Sequence, residues 1–497
     1  MQTKRHLVVV AGIMTTFLAS LDATVVGTAM PTITAVLGGL SIYPWVFSAF
    51  LLASTVTVPL YGKAADLFGR KPAFFVGVGL FMLGSLLCAT ASTMTELILW
   101  RALQGVGAGG VLPVTMTIIG DLYAAQERAR IQGFFSAVWA VSSIVGPLAG
   151  ALFVEVLSWH WIFLINLPFG FLALGIMATA LEENVAAKAH RLDLLGALLL
   201  TAAATSLMWA MLTGGRTGVM SVAVRVAFVA SAVLALLFVL QERRHPEPML
   251  PPALLRIRPV AVAAAAGVCA GVILFGCNSY LPAFVQGALG LTPKDAGLAL
   301  LPMGIGWPLA ANLSGSALKR LGYRRSALLG GAFLVLGTSF FLRFDAHTSQ
   351  ALIMVAVGIT GLGMGFSTTV LLIAAQEAVP WAQRGAATAM VQFARTIGGA
   401  VGVAVMGAAL SASLRQQLGA TPELLTLANE VMDPHRRGGV ATATVAVVQG
   451  ALATGLGEVF LGLTLAGLMA VVVTFAFPRG FAPAARATPS ATSSPSR

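Results

Sequence analysis

Charge is scarce in this sequence. Asp, Glu, Lys and Arg make up 10% of its 497 residues, against about 25% in a soluble globular protein. Hydrophobic residues make up 58%, and the mean hydropathy is +0.89. Such a chain cannot cover a water-facing surface. Lipid admits only structures that satisfy their own backbone hydrogen bonds, and the apolar runs here have the length of spanning helices. The expected fold is therefore an all-α polytopic membrane protein. Cysteine is also scarce. Cys88, Cys269 and Cys277 all lie within apolar runs, and there is no C-x-x-C. This pattern excludes a disulfide framework and leaves the three as small packing residues. The six histidines, His6, His160, His190, His245, His347 and His435, all lie outside the apolar runs. None has the i, i+4 spacing of a metal pair, which argues against an intramembrane metalloenzyme. There is no G-x-x-x-x-G-K-[ST], so no nucleotide motor is built in. No cofactor is expected, and the energy for any work must come from a gradient or a partner.

What the chain has is apolar length. Fourteen runs are long enough to cross a bilayer. They cover about 7–29, 45–62, 72–90, 96–119, 131–154, 161–181, 192–212, 220–240, 260–285, 297–317, 326–343, 349–375, 386–413 and 453–477. The first is too long for a secretory signal and no cleavage site follows it, so it reads as a retained span. The net charge is +12. With the N-terminus inside, 21 of the 30 Lys and Arg fall on cytoplasmic segments, seven on outer segments and two within spans. The positive-inside rule then places both termini in the cytoplasm. It also accounts for the basic balance without nucleic acid.

The chain repeats itself. "GKAADLFGRK" (62–71) follows the second run and "GSALKRLGYRR" (315–325) the tenth, with Gly62 and Gly69 matching Gly315 and Gly322 at an offset of 253. Gly105, Gly107 and Gly109 match Gly361, Gly363 and Gly365 at 256. Gly146 and Gly150 match Gly398 and Gly402 at 252. Three matches near one offset predict two related six-helix bundles, 1–190 and 260–477. Between them lie an inserted pair of helices (191–241) and a Pro-rich cytoplasmic linker (242–259). A long outer loop is expected at 414–452 and a disordered cytoplasmic tail at 478–497. Such repeats mark transporters that rock about a central site.

Two ionisable residues lie deep in the first bundle. Asp22 is the only charge in its run, and an acid at the centre of a membrane helix costs about 2.5–3.5 kcal/mol on insertion scales. Arg101 lies at a similar depth in an antiparallel run, which predicts a water-accessible pair. The functional reading makes Asp22 a proton carrier that also meets cationic substrate, with Arg101 adjusting its proton affinity. The plain reading is a polar contact that joins two helices. Intramembrane ionisable groups favour the first. Gln104, Asn278, Asn312 and Gln392 are polar residues within spans that either line a cavity or bond helix to helix. Arg395 is a second intramembrane cation with no evident acid partner; it neutralises a helix end or takes part in gating. Gly146, Pro147 and Gly150 bend and thin the fifth span. Gly62 and Gly69 allow a tight cytoplasmic turn, where Asp66, Arg70 and Lys71 form either a topology signal or a latch between the bundles. "GVGAGG" (105–110) resembles a nucleotide loop but lies inside an apolar run with no strand before it, so it reads as a helix-packing face.

Five motifs in order resemble those of the fourteen-span drug:proton antiporters of the major facilitator superfamily. They are "LDATVVGTAMP" (21–31) with Asp22 at its acid, "GKAADLFGRK", "RALQGVGAGG" with Arg101 at its arginine, "GPLAG" in the fifth span and "WHWIFLINLPFG" (159–170). The resemblance extends from about Leu7 to Phe477. It implies the major facilitator fold and a monomer in a bacterial inner membrane. It also implies export of lipophilic compounds in exchange for protons, and an outer-gate role for Gly146, Pro147 and Gly150. Spans 9–13 carry none of the extra acids of dication exporters, which points to monocationic or neutral substrates. A lipid, amino-acid or other metabolite exporter of the same fold is the alternative. A membrane-embedded enzyme or a receptor is remote, since neither clustered catalytic groups nor a ligand domain is present.

Overall fold

The computed structural model describes residues 4–123, 125–182, 193–217, 221–246, 250–380, 383–418 and 441–481, together with Pro248 and Val431. Among the described residues every regular element is helical. Fourteen α-helices follow in order: α1 Arg5–Leu37, α2 Pro44–Phe68, α3 Arg70–Ala89, α4 Met94–Leu122, α5 Ala125–Leu152, α6 Trp161–Leu164, α7 Asn166–Ala180, α8 Leu194–Thr217, α9 Val222–Arg244, α10 Arg258–Ala283, α11 Pro293–Phe341, α12 Gln350–Glu377, α13 Arg384–Leu418 and α14 Thr442–Phe475. Short π-turns extend α5 over Phe153–Leu157 and α10 over Phe284–Ala288. Twelve helices among the described residues are long and apolar enough to cross a membrane.

Helix starts follow local chemistry. The Thr93 hydroxyl accepts from Glu96 N at the head of α4, and the Ser349 hydroxyl accepts from Leu352 N at the head of α12. Thr292 and Asp295 form a reciprocal capping box before α11, with Pro293 in the first turn. Helices α1–α7 pack mainly on one another, as do α10–α14; α8 and α9 pair together, and α8 also lies against α2 and α13. Much of α9 presents exposed apolar side chains such as Val226 and Val229, as a lipid-facing helix does.

Several boundaries differ from the sequence reading. The runs 297–317 and 326–343 lie in one continuous helix, α11, of 49 residues, interrupted at Gly322 (φ 75°, ψ 173°). Gly69, its counterpart, separates α2 from α3 at φ 99°. Only these two glycines make the turn. Gly62 and Gly315 sit inside helices, with open space where a Cβ would point. The polar outer stretch begins later and ends earlier than expected, because α13 continues to Leu418 and α14 starts at Thr442. What lies between falls largely outside the described residues, as do 183–192 and 482–497. The linker before α10 carries a 3-10 turn over Pro252–Arg256, and Glu242 Oε2 accepts from Leu250 N at 2.9 Å.

The matched glycines are used alike. Gly105 and Gly109 meet α2, while Gly107 between them meets α3. Gly361 and Gly365 meet the first part of α11, while Gly363 meets the part beyond the Gly322 bend. Gly146 and Gly150 press on Thr24, Val25 and Thr28 of α1; Gly398 and Gly402 press on Val268 and Val272 of α10. The backbones approach so closely that a Cβ on Gly363 would lie 2.5 Å from Leu334 N. Gly363→Val is expected to cost about 1–3 kcal/mol by overpacking, read as a lowered thermal midpoint in detergent. Gly79→Ala, with open space at its Cβ, leaves the midpoint unchanged or slightly raised.

Candidate functional site

The pair expected from the sequence is in direct contact. Arg101 Nη1 donates to Asp22 Oδ2 at 2.7 Å, and both side chains are buried, at 2% and 0% exposure. The expected water access is therefore corrected: this state shuts the pair away from solvent. Depth matching brought the two residues to one level, but the packing of α1, α2, α3, α4 and α7 closes over them.

Gln104 belongs to this cluster and does not line an open cavity. It lies one turn beyond Arg101 on α4. Its Oε1 accepts from Arg101 Nη1 at 2.6 Å, and its Nε2 donates to Asp22 Oδ1 at 2.8 Å and to Ser85 Oγ at 2.9 Å. One amide thus bridges acid and base. Asn166, in the first turn of α7, donates to Ser85 Oγ at 2.7 Å and to Asp22 Oδ1 at 3.4 Å. The Ser85 hydroxyl in turn donates to Phe163 O at 3.2 Å. Asn166 Oδ1 has no hydrogen-bond partner among the described residues. The guanidinium lies 4.1 Å from the Phe50 ring centroid, and its Nε donates to Val46 O at 3.4 Å. Every oxygen of Asp22 is thus held by a donor, as a buried carboxylate requires. Sequence reasoning missed Ser85 and Asn166. Asn166 left a faint signal, a lone amide in the apolar run before Pro168; a serine such as Ser85 is too common in membrane helices to leave any.

The other expected residues fall elsewhere. Asn278 is buried where α10 crosses α1, its amide donating to Leu274 O at 3.0 Å and its backbone oxygen against Gly27. Asn312 is exposed and donates to Pro308 O on its own helix at 2.9 Å. Neither joins the Asp22 cluster. Gln392 and Arg395 instead line a separate cavity of about 210 Å³ among α10, α11, α12 and α13. Arg395 lies 5.9 Å from the Trp307 ring centroid. In the turn after α2 the Asp66 side chain lies outside the described residues. Lys71 Nζ donates to Ala178 O and Leu181 O, both at 2.7 Å, which caps the C-terminal end of α7. Arg324, at the matching place in the repeat, donates to Phe475 O at the end of α14 at 3.1 Å. These cations therefore hold helix ends, where the carbonyl dipoles favour positive charge.

The two groups of helices meet along a seam. Tyr43 OH donates to Ser279 O, Ser48 Oγ to Ala400 O at 2.9 Å, Gln286 Nε2 to Thr28 O at 2.9 Å, and Lys294 N to Glu155 Oε1 at 3.1 Å. Pro147 contributes directly: its carbonyl oxygen would lie 2.8 Å from a Cβ on Gly297 of α11. Gly146 and Gly150 face α1 while Pro147 faces the other group, so one short motif serves two contacts. These joints gather toward the end of the molecule that carries the 38–43 and 289–292 connections.

Arg101→Met strands the Asp22 charge in the interior. The expected loss is about 3–5 kcal/mol, seen as a lowered thermal midpoint, with Asp22→Asn/Arg101→Met recovering part of it. Equal midpoints for Arg101→Met and the wild type would rule out a stabilising pair. Gly297→Val is expected to hold the seam apart, raising the labelling rate of a cysteine placed beside it at Thr28.

The sequence model of one family, the Major Facilitator Superfamily, matches residues 12–403. Multidrug transporter protein MdtP of Bacillus subtilis is 34% identical over 412 residues, covering 83% of this chain and 76% of that protein. Multidrug resistance protein 3 of the same organism is 32% identical, covering 82% and 80%. Multidrug resistance protein Stp of Mycobacterium tuberculosis is 33% identical, covering 81% and 75%. Among solved structures, a D-xylose-proton symporter superposes with a TM-score of 0.64 at 13% identity, covering 95% of this chain and 97% of that one. A bacterial homologue of the lysosomal transporter Spinster superposes with a TM-score of 0.63 at 15% identity, covering 95% and 96%. At such identities these likenesses concern the fold alone. The chain belongs to the major facilitator superfamily, and it is a multi-pass membrane transporter, not an enzyme.

Proposed function

We propose that the protein is a proton-coupled exporter of lipophilic compounds that works by alternating access. The observation that carries this reading is the buried ion pair of Asp22 and Arg101, with Gln104 and Asn166 completing the shell of the carboxylate. A proton on Asp22 removes its charge and leaves Arg101 an unpaired cation in the interior, a costly state. Proton binding and ion pairing are thus alternatives, and the helices that hold the pair must move when one replaces the other. That is the differential binding a coupled transporter needs. The burial of Asp22 in this state fits a carrier that meets protons in another one. The relatives named as multidrug transporters support a drug-like cargo.

The topology in this proposal has fourteen crossings. The 49 residues of α11 span about 74 Å at 1.5 Å per residue, more than twice a hydrocarbon core of about 30 Å, and they bend at Gly322. The apolar stretch Ile144–Leu157 ends a further long helix, α5. Six spans, an inserted pair and six more follow, with both termini in the cytoplasm of a bacterial inner membrane. Under this orientation the seam closes the outer side, Gly146, Pro147 and Gly150 lie in the outer gate, and the cavity beside Arg395 faces inward. The transporter acts as a monomer, with the proton gradient as its energy source.

Inverted membrane vesicles test the coupling. Energised vesicles are expected to take up a lipophilic fluorescent dye, and a protonophore to stop it. Asp22→Asn is expected to remove gradient-driven uptake while the protein remains folded in the membrane. Uptake by Asp22→Asn with wild-type response to the gradient overturns the carrier assignment.

A further inference from the structure

The cavity among α10–α13 is chemically unlike the ion-pair site. Arg395 lines it, together with Ser367, Thr369 and Gln392. None of these four side chains has a hydrogen-bond or ion-pair partner among the described residues; Arg395 has only the face of Trp307. No Asp or Glu is among the described residues that line the space. The remaining wall is apolar, including Ala266, Leu371 and Val391. A guanidinium carries five donors in a fixed fork, and a half-buried cation without a counter-ion is held at a cost. The buried cation of the first group of helices is held differently. Arg101 has Asp22, and the other polar side chains of the Asp22 cluster are bonded to one another.

We infer that this cavity is a binding site for an amphipathic organic monoanion, an aromatic or alkyl carboxylate, held by Arg395. The carboxylate takes the guanidinium fork in bidentate fashion. The Gln392 amide and the Thr369 hydroxyl supply further donors, and the apolar body of the ligand lies against Trp307 and the aliphatic wall. The same field repels a monocation. This deepens the exporter reading and rests on it, and it replaces the monocationic or neutral cargo expected from the sequence with an acidic one. The earlier expectation counted acids in the later spans; it gave no weight to a cation with nothing to pair with.

The test uses the full-length protein in lipid nanodiscs and measures equilibrium binding, which needs no gradient. Three probes of one shape are compared at neutral pH: 1-naphthoate, 1-naphthamide and 1-naphthylmethylammonium. The wild type is expected to bind the carboxylate about tenfold or more tighter than the amide, the size of effect that a hydrogen-bonded charge contributes, and to bind the ammonium weakest. Arg395→Gln is expected to erase the preference for the carboxylate over the amide, and Arg395→Lys to keep part of it. Should Arg395→Gln fail to fold, Thr369→Val and Gln392→Leu are expected to weaken the carboxylate several-fold and leave the amide unchanged. Equal binding of the three probes, preference for the ammonium, or full preference retained in Arg395→Gln overturns the inference. Gradient-driven dye uptake is measured in parallel on the same protein. Intact uptake with no anion preference removes this inference alone, whereas lost uptake with the preference intact removes the coupling mechanism and leaves the site.

Discussion

A carboxylate and a guanidinium, 2.7 Å apart and both out of water, are the constraint on which the first group of helices depends. Neither charge can be buried without the other. Their union draws together α1 and α4, and the remaining lone pairs and protons draw in α3 and α7 through Ser85, Gln104 and Asn166. Phe50 and Val46 of α2 close the side. A change in the charge of Asp22 is therefore felt by five helices at once, and the proposed coupling rests on that.

Around that centre, the packing is governed by what is missing from side chains. Lipid offers helices no hydrophobic gain for associating, so close backbone approach through small residues does the work. Gly105, Gly107 and Gly109 let α4 lie between α2 and α3, and Gly361, Gly363 and Gly365 let α12 lie between the two parts of α11. The same spacing produces the same geometry twice because a two-residue step turns successive glycines about 200° round the helix, to opposite sides. At the ends, Gly69 and Gly322 adopt positive φ, and the cations that follow them, Lys71 and Arg324, reach the terminal carbonyls of α7 and α14. The repeat is thus one of contacts as well as letters.

The repeat does not extend to the charged residues. The first group holds a buried acid paired with a base; in the second, Arg395 lines a cavity with an aromatic face and, among the described residues, has no acid partner. In the proposed mechanism two related scaffolds with different charge patterns divide the labour, one responding to the proton and the other meeting the cargo. The seam between them uses small and compliant parts, Pro147 against Gly297 and side chains that donate to backbone carbonyls. Such contacts are formed and broken at low cost, because no charge is exposed or stranded when they separate.

Apolar length, the repeated glycines and the matched depths of Asp22 and Arg101 were all legible in the residue order. Each follows from one helix and its solvent: 1.5 Å of rise per residue sets depth, and the bilayer sets which residues a helix can carry. The glycine pattern even implied which faces must be close. Other features needed the folded molecule. Gly62 looked like a turn residue and is helical, since the chain needs one positive φ there and Gly69 supplies it. Gln104 and Gln392 looked equivalent, yet one bridges an ion pair and the other lines a cavity. Asn312, read as lining a cavity or bonding helix to helix, is exposed and donates within its own helix. Ser85 and Asn166 joined Asp22 from helices far along the chain, and among the described residues Arg395 meets only the face of Trp307. Which side chain meets which depends on how helices rotate and cross. That is decided by contacts between residues distant in sequence, which no single run of the chain contains.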